Sequence, residues 1–358
     1  LMGLGVVGGG VARTLVEKGE RLAKEVGCPL SLIKVLVRDP SKKRPLPAHL
    51  LTTDPQMILA DPAIDIIVEA MGGENPALEH IQAALGAGKQ VVTANKEVIA
   101  KHGPQLFALA QERGVNLLFE ASVGGAIPVI APFQQNLLAN RISALHAIIN
   151  GTTNYILTRM AKDSLEFQVA LHEAQELGYA EPNPENDIEG IDAAYKLSIL
   201  ASLAFHTWIY PDQVYREGIS RLAARDFRYA RELGYVIKLL AIAREDDGAV
   251  QARVHPTLLE EDLPLAKVDG VFNAVQVEGD LMGRLLFYGR GAGALPTTSA
   301  ILADVIQLAQ GLCHGGQASR VRLEQGKAIK PMDQLETRYY LRMNVADRSG
   351  VLAQIARL

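Results

Sequence analysis

Gly3-Leu4-Gly5-Val6-Val7-Gly8 opens the chain and runs straight into the apolar positions Val11, Ala12 and Leu15. The pattern is G-x-G-x-x-G ahead of a helix. The first glycine permits a tight turn, the second lets backbone approach a pyrophosphate, and the third lets the helix pack closely on its strand. The first helical N–H groups then face the anion. A plain strand-to-helix turn fits the same six residues, so the decision rests on the residues downstream. Residues 31–37 (SLIKVLV), 64–70 (IDIIVEA), 90–93 and 116–120 (NLLFE) read as short strands rich in β-branched residues and leucine. Residues 11–25, 76–87 and 96–113 between them have helical length with Gly or Pro near an end. This alternation predicts an α/β fold, a Rossmann-type doubly wound parallel sheet, and makes the glycine run a dinucleotide turn.

At 358 residues, with 48% apolar and 21% charged residues, the chain has material for two substantial folded domains. Its net charge of −4 offers no broad cationic field, so nucleic acid is not an expected partner. Cys28 and Cys313 are too few for a disulfide framework, and no apolar run reaches the roughly 18 residues that cross a bilayer. A cytoplasmic protein without a membrane partner is the expectation. Because Leu1 stands directly before the motif, with no room for a leading strand, the natural chain is expected to begin earlier.

The second half has a different grain. Residues 163–178 read as one helix, with Phe167, Ala170, Leu171, Ala174 and Leu177 at helical spacing, capped by Asp163 or Ser164 and ended by Gly178. A polar loop over 180–189 precedes a long apolar helix over 190–205. Residues 252–255, 268–272 and 274–278 are expected strands of a mixed sheet, giving a second, α+β catalytic domain. At the tail, 339–345 alternates as a half-buried strand does, and Val351, Leu352 and Ile355 begin a helix. One strand and two turns cannot bury their own apolar faces, so the natural chain is expected to continue past Leu358.

Besides the glycine motif, three clusters carry chemistry. After the second strand, Arg38, Lys42, Lys43 and Arg44 surround Asp39, where a ribose-binding acid would otherwise stand; this suits a 2′-phosphate, with a solvated basic turn as the alternative. Lys96, in Thr93-Ala94-Asn95-Lys96, follows a strand and stands at the carboxyl edge of the sheet, where such folds bind ligands. Asp192 and Lys196 are four apart and share one helix face, so the carboxylate can orient the ammonium. The apolar residues Ile199, Leu200 and Leu203 beyond it would desolvate Lys196 and lower its pKa towards the range of proton transfer; an exposed ion pair is the bland alternative. The eight histidines show no metal-ligand spacing, so catalytic zinc is not expected. Asn150-Gly151-Thr152 matches a glycosylation sequon, by chance in a cytoplasmic chain.

Ala174, Gly178-Tyr179-Ala180, Asn183-Pro184, Asp187-Ile188, Gly190, Asp192 and Lys196 stand at the fixed positions of the homoserine dehydrogenase signature, and the chain resembles that family over about residues 1–335. Supporting segments are 3–11, TANK at 93–96, EASVGGAIP at 120–128, NGTTNYIL at 150–157 and GRGAGALPTT at 289–298. The resemblance implies NAD(P)H-dependent interconversion of L-aspartate 4-semialdehyde and L-homoserine, on the route to threonine, methionine and isoleucine. It implies Lys196 as acid/base, Asp192 as its orienter, and Lys96 beside nicotinamide and substrate. Glu181, Asp187, Gly151 and Thr152 would receive the amino-acid substrate. Gly3, Gly5, Val6, Val7, Gly8, Arg38, Gly72, Thr93, Lys96 and Gly293 would hold the cofactor, NADP(H) in preference to NAD(H). Glu120, with the carbonyls of Val123, Gly125 and Ile127, matches the family's sodium site, a hard-cation set of oxygens.

The implied domains are 1–125 for nucleotide binding, completed by 290–323, then 126–289 for catalysis and dimerisation, a 324–337 linker, and 338–358. That last stretch, with Asp347-Arg348-Ser349-Gly350, is similar to the opening of an ACT regulatory domain, where many relatives carry Pro in place of Ser349. A homodimer or homotetramer is the family habit. Another NAD(P)-dependent reductase of a small amino or hydroxy acid, or a cofactor-binding redox sensor, remains as an alternative; the Asp192–Lys196 run separates the first, and retention of both lysines speaks against the second.

Overall fold

The structure, a computed structural model, describes residues 1–315, 321, 323 and 326–357. Two helices stand where one was expected over 11–25: α1 (Val6–Glu17) and α2 (Gly19–Val26), parted at Lys18-Gly19 because glycine supports a helix interior poorly. The strands are shorter than their apolar runs. β1 is Val35–Leu36, β2 Leu51–Thr52, β3 Ile66–Glu69, β4 Gln90–Thr93 and β5 Leu117–Leu118, with α3 (Gln56–Leu59), α4 (Ala77–Gly86) and α5 (Lys96–Arg113) between them.

All pairings in this half are parallel: β1 with β2, β3 with β4, and β4 with β5. Met2 joins the two groups, forming parallel bridges to Leu36 on one side and Glu69 on the other. The spatial order is therefore β2, β1, the segment at Met2, β3, β4, β5, with a reversal at Met2. That is the doubly wound arrangement, whose switch point holds a dinucleotide. Leu36, Ile67 and Val91 share a core with Ile81 and Leu85 of α4 and Val98 and Leu106 of α5. Val35, Val68 and Val92 face the other way, towards Val11 of α1 and a helix that returns from the far end of the chain. Burial on both faces is why these strands read as continuous apolar runs.

The second half is built on a mixed sheet, as expected, but from longer strands. The helices α6 (Ile130–Gln134), α7 (Gly151–Asp163), α8 (Phe167–Glu176), α9 (Glu185–Ile188), α10 (Ile191–Phe205) and α11 (Ala224–Glu232) accompany β6 (Ile142–Ile148), β7 (Tyr215–Arg216), β8 (Tyr235–Asp246), β9 (Ala249–Glu260), β10 (Phe272–Gly279) and β11 (Gly283–Arg290). After them come α12 (Ala294–His314), β12 (Ala328–Ile329) and α13 (Val351–Ile355). The sheet order is β11-β10-β6-β8-β9-β12, with β7 also parallel to β9. Residues 268–272 are not a strand: they turn, and β10 begins only at Phe272. Asp163 and Ser164 do not cap α8 either, since Asp163 ends α7 and Ser164 (φ +54°) is its left-handed C-cap.

α10 is apolar all round and accordingly buried, with Leu197, Ile199, Leu200 and Phe205 at 0 to 1% exposure. Each such side chain contributes about 1.5–3 kcal/mol. Its core is continuous with that of α5, so the second half delivers the start of α10 to the carboxyl edge of the Rossmann sheet. α12 closes the other face. Ile301 and Val305 pack with Val11 and Val68, and Gln310 donates to the Glu25 carbonyl at 3.1 Å. Cys28 and Cys313 form a disulfide beside this contact, Cα atoms 6.6 Å apart. Two cysteines 285 residues apart carry no sign of each other in the sequence; the packing of α2 against α12 creates their approach.

Beyond α12, Glu324 and Gln325 of the expected linker lie outside the described residues. Its later part is docked, with β12 adding a parallel strand to β9. The strand expected over 339–345 does not form; these residues are extended, exposed and without a sheet partner. Tyr340 and Arg342 anchor them by hydrogen bonds of 2.9 and 2.6 Å to the Asp226 carboxylate of α11. Among the described residues no helix is long and apolar enough to cross a membrane.

Candidate active site

The glycine turn sits at the reversal of strand order. Gly3 takes φ +94° and lies so close to Ala70 that a Cβ there would stand 2.7 Å from the Ala70 carbonyl oxygen. A Cβ on Gly8 would collide with the Gly3 carbonyl oxygen. Gly5 is the N-cap of α1, and Val6 beyond it is 77% exposed, an apolar residue left open at a helix start. Beside the turn lies a cleft of about 480 Å³, lined by Gly3, Gly5, Arg38, Lys42, Arg44 and Met71 among others. Lys43 stands outside it.

Asp39 lines this cleft too, with one carboxylate oxygen engaged in its own turn. Its Oδ1 accepts from the backbone N–H and the hydroxyl of Ser41 at 2.9 and 2.6 Å. Those hydrogen bonds, with the charges of Lys42 and Arg44, hold it below the usual carboxylate value. Arg44 donates to the Asp39 and Lys42 carbonyls at 2.6 and 3.1 Å, tightening the same turn. A cleft beside a glycine turn, carrying Arg38, Lys42 and Arg44, fits a dinucleotide. Gly72 (φ +75°) lies on the turn after β3, and Gly293 (φ +122°) is the N-cap of α12, whose Thr298 reaches the Val7 carbonyl at 3.5 Å.

At the edge of the sheet Asp192, 5% exposed, gathers three donors. Lys196 donates to its Oδ2 at 2.7 Å, the Asn150 amide donates to the same oxygen at 2.8 Å, and Lys96 pairs with Oδ1. Lys196 has a second anchor in the Ile149 carbonyl at 2.9 Å. Burial would raise the Asp192 pKa, but the two ammonium groups overcome this and hold it well below the carboxylate range. For Lys196 burial wins: it pushes the ammonium below the ordinary lysine value, Asp192 opposes, and the neighbouring Lys96 charge adds to the lowering. For Lys96 burial pulls downward too, yet Asp192 prevails and raises it. Asp192 raises both lysines, and it is the stronger burial of Lys196 that sets the two apart, one above and one below the ordinary lysine value.

Asp187, on α9, joins through Asn150, which donates to it at 2.7 Å. Burial raises its pKa, and the nearby Asp192 charge adds to this. Gly151 is the first residue of α7, packed so that a Cβ would stand 3.0 Å from the Val271 carbonyl oxygen. Thr152 donates to the Tyr179 carbonyl at 2.7 Å. Glu181 is less integrated: it is exposed at the rim, and its carbonyl accepts from Gln175 at 3.2 Å.

Glu120, 5% exposed, accepts from the backbone N–H groups of Val129 (2.6 Å), Ile130 (2.8 Å) and Ala131 (2.7 Å). Burial raises its pKa against those three bonds. Asp304 of α12 accepts from the Glu120 backbone N–H at 2.9 Å, and burial pushes its pKa up to about 8. Among the described residues neither carboxylate has a cationic side chain as partner. Glu120 begins the segment that continues into the 123–127 loop, whose carbonyls belong to Val123, Gly125 and Ile127. That loop meets the second glycine run: a Cβ on Gly125 (φ +60°) would stand 2.6 Å from Gly291.

Sequence reasoning missed Asn150 as a site residue, dismissing it with the sequon, although it bridges both carboxylates and, through Oδ1, caps α7 by accepting from the Thr153 N–H at 2.8 Å. An Asn placed just before a helical run is an N-cap signal, and that signal was available. Asn95, before the helical run 96–113, carried the same N-cap signal, whereas Glu69, which also braces Thr93, carried none.

Residues 3–120 match the family model described as the NAD binding domain of homoserine dehydrogenase, and residues 128–306 match that described as homoserine dehydrogenase. The homoserine dehydrogenase of Corynebacterium glutamicum is 45% identical over 364 residues, covering 100% of this chain and 82% of that protein. A solved homoserine dehydrogenase from Thiobacillus denitrificans superimposes with a TM-score of 0.91 at 43% identity, over 99% of this chain and 84% of that one. A hyperthermophilic archaeal homoserine dehydrogenase, solved in complex with NADPH, gives 0.74 at 28% identity, over 90% and 98%. With relatives of this identity covering its full length, the chain belongs to the homoserine dehydrogenase family, NAD(P)-dependent oxidoreductases.

Proposed function

We propose that Lys196 is the group that exchanges a proton with the substrate oxygen in the interconversion of L-homoserine and L-aspartate 4-semialdehyde. The observation that carries this reading is the Asp192 carboxylate shared between a depressed lysine and a raised one. Gly3–Gly8 would hold NADP(H), with Arg38 and Lys42 for its 2′-phosphate, and the chemistry it would supply there is hydride transfer. In the reducing direction Lys196 Nζ gives its proton to the oxygen of the former aldehyde, and in the oxidising direction the neutral amine takes it back. Asp192 fixes the direction of Nζ. Lys96 stays charged and polarises the same oxygen from the nicotinamide side. Asp187 and Glu181 receive the substrate ammonium, and the start of α7 at Gly151 and Thr152 receives its carboxylate.

Glu120 and the carbonyls of Val123, Gly125 and Ile127 would hold Na⁺, which fastens the 120–131 loop beneath the site. Division into 1–125 with 290–323 for the cofactor and 126–289 for substrate and dimerisation accords with these roles. So do a cytoplasmic homo-oligomer and a place before threonine, methionine and isoleucine. The 338–358 tail is read as the start of an amino-acid-binding regulatory unit. The test is a substrate profile: NADPH oxidation should be rapid with L-aspartate 4-semialdehyde and at least about 100-fold slower with small aldehydes lacking the amino-acid head. Equal rates would reject the substrate assignment.

A further inference from the structure

Glu69 ends β3 with 0% exposure, and a buried carboxylate is costly unless its oxygens find donors. One oxygen accepts the Met71 N–H at 2.7 Å and the other accepts the Thr93 hydroxyl at 2.5 Å. The Thr93 oxygen in turn accepts the Asn95 N–H at 3.0 Å. Asn95 closes a ring. Its Oδ1 accepts the Val98 N–H at 3.2 Å, capping α5, and its Nδ2 donates to the Gly73 carbonyl at 2.6 Å. Two strand ends, the turn over 70–73 and the first turn of α5 are thereby fixed to one another.

The two ends of this ring touch the two halves of the proposed chemistry. Gly3 of the dinucleotide turn rests against Ala70, between Glu69 and Met71. Lys96 follows Asn95, and its ammonium reaches across to Asp192. Among the described residues no cation pairs with Glu69. If holding the sheet together were all that was needed, an apolar side chain of similar size would do so at less cost. A carboxylate is required because both partners are donors, and they come from different strands.

We propose that Glu69 is a positioning residue for hydride transfer, acting through Met71, Thr93 and Asn95 to set the distance between the dinucleotide turn and Lys96. The proposal rests on the reading that places Lys96 beside nicotinamide and substrate. Glu69→Gln replaces one acceptor oxygen by an NH2 group, so the link to Thr93 survives only if its hydroxyl turns away and accepts instead of donating, which breaks the present ring. Thr93→Val removes the hydroxyl at constant shape, and Thr93→Ser keeps it.

The experiment measures kcat, both KM values and the primary isotope effect with deuterated NADPH in the intact enzyme, per folded site counted by NADPH binding. Glu69→Gln and Thr93→Val should each lower kcat about 10-fold to 100-fold, the scale of a misplacement near 1 Å, with a larger isotope effect and little change in the KM for L-aspartate 4-semialdehyde. Thr93→Ser, which restores the hydroxyl, should recover most of the kcat lost in Thr93→Val, and the double variant should be no worse than either single one. Losses that multiply, or a Thr93→Val enzyme with full kcat, would overturn the proposal. So would a lower melting temperature with kcat per folded site unchanged, the signature of a structural role alone. If Glu69→Gln does not fold, the contrast between Thr93→Ser and Thr93→Val decides. Lys96→Ala separates this from the site reading: full turnover there rejects the placement of Lys96, whereas a crippled Lys96→Ala beside an active Thr93→Val rejects only the Glu69 ring.

Discussion

Asp192→Asn keeps the shape of the side chain and removes the charge that two ammonium groups share. Two charges 4 Å apart interact by about 4 kcal/mol at an effective dielectric near 20, and a hydrogen bond to a charged group is worth about 1.5–3 kcal/mol. Lys196 sits 2.7 Å from Oδ2, so its loss is of that order, moderated by its second anchor on the Ile149 carbonyl at 2.9 Å. A fall in kcat of about 10² to 10³ is expected. The pH dependence has a definite sign. Homoserine oxidation needs neutral Lys196, so kcat/KM rises with pH through a limb below the ordinary lysine value; aldehyde reduction needs the ammonium and falls through the same limb. Asp192 is the influence that raises the Lys196 pKa against burial and the Lys96 charge. Without it the limb must move to lower pH. The assay is kcat/KM for homoserine oxidation across pH in both enzymes; a limb that stays or moves upward, or turnover within tenfold of the parent, would refute the assigned electrostatics.

Arg38→Ala should lower the preference for NADPH over NADH by about tenfold or more, measured as the ratio of the two kcat/KM values. An unchanged ratio would move 2′-phosphate recognition to Lys42 or Arg44. Gly8→Ala forces a Cβ onto the Gly3 carbonyl and should raise the NADPH KM about 100-fold; unaltered cofactor affinity would mean that the turn does not carry the pyrophosphate. The Cys28–Cys313 bond closes a long loop, so reduction should cost about 2–4 kcal/mol and lower Tm by a few degrees in calorimetry with and without dithiothreitol. Identical Tm values would show that the pair does not link the helices.

The parallel half was legible because its information is local. Val68 and Val92 point to one core and Ile67 and Val91 to the other, so the runs are apolar throughout, and α5 was readable from Lys96 to Arg113. The second sheet was legible only in part. β8 and β9 form a local hairpin whose Asp247-Gly248 turn, φ +50° and +77°, was a readable signal, but β6 pairs with β8 and β10 about a hundred residues or more along the chain, which no local pattern shows. β11 is largely exposed along its length, so nothing in its burial pattern marks it as a strand. Lys196 and Asp192 could be found from spacing on one helix face. That Lys96 would meet them from so far away in sequence required the packing of α10 on α5, and the bridging role of Asn150 required both.

Proton exchange at Lys196 is the centre of the proposed chemistry, and Lys196→Ala tests it most directly. NADPH oxidation by L-aspartate 4-semialdehyde should fall by about 10² or more in kcat, with NADPH affinity nearly unchanged. Turnover close to that of the parent enzyme would contradict it.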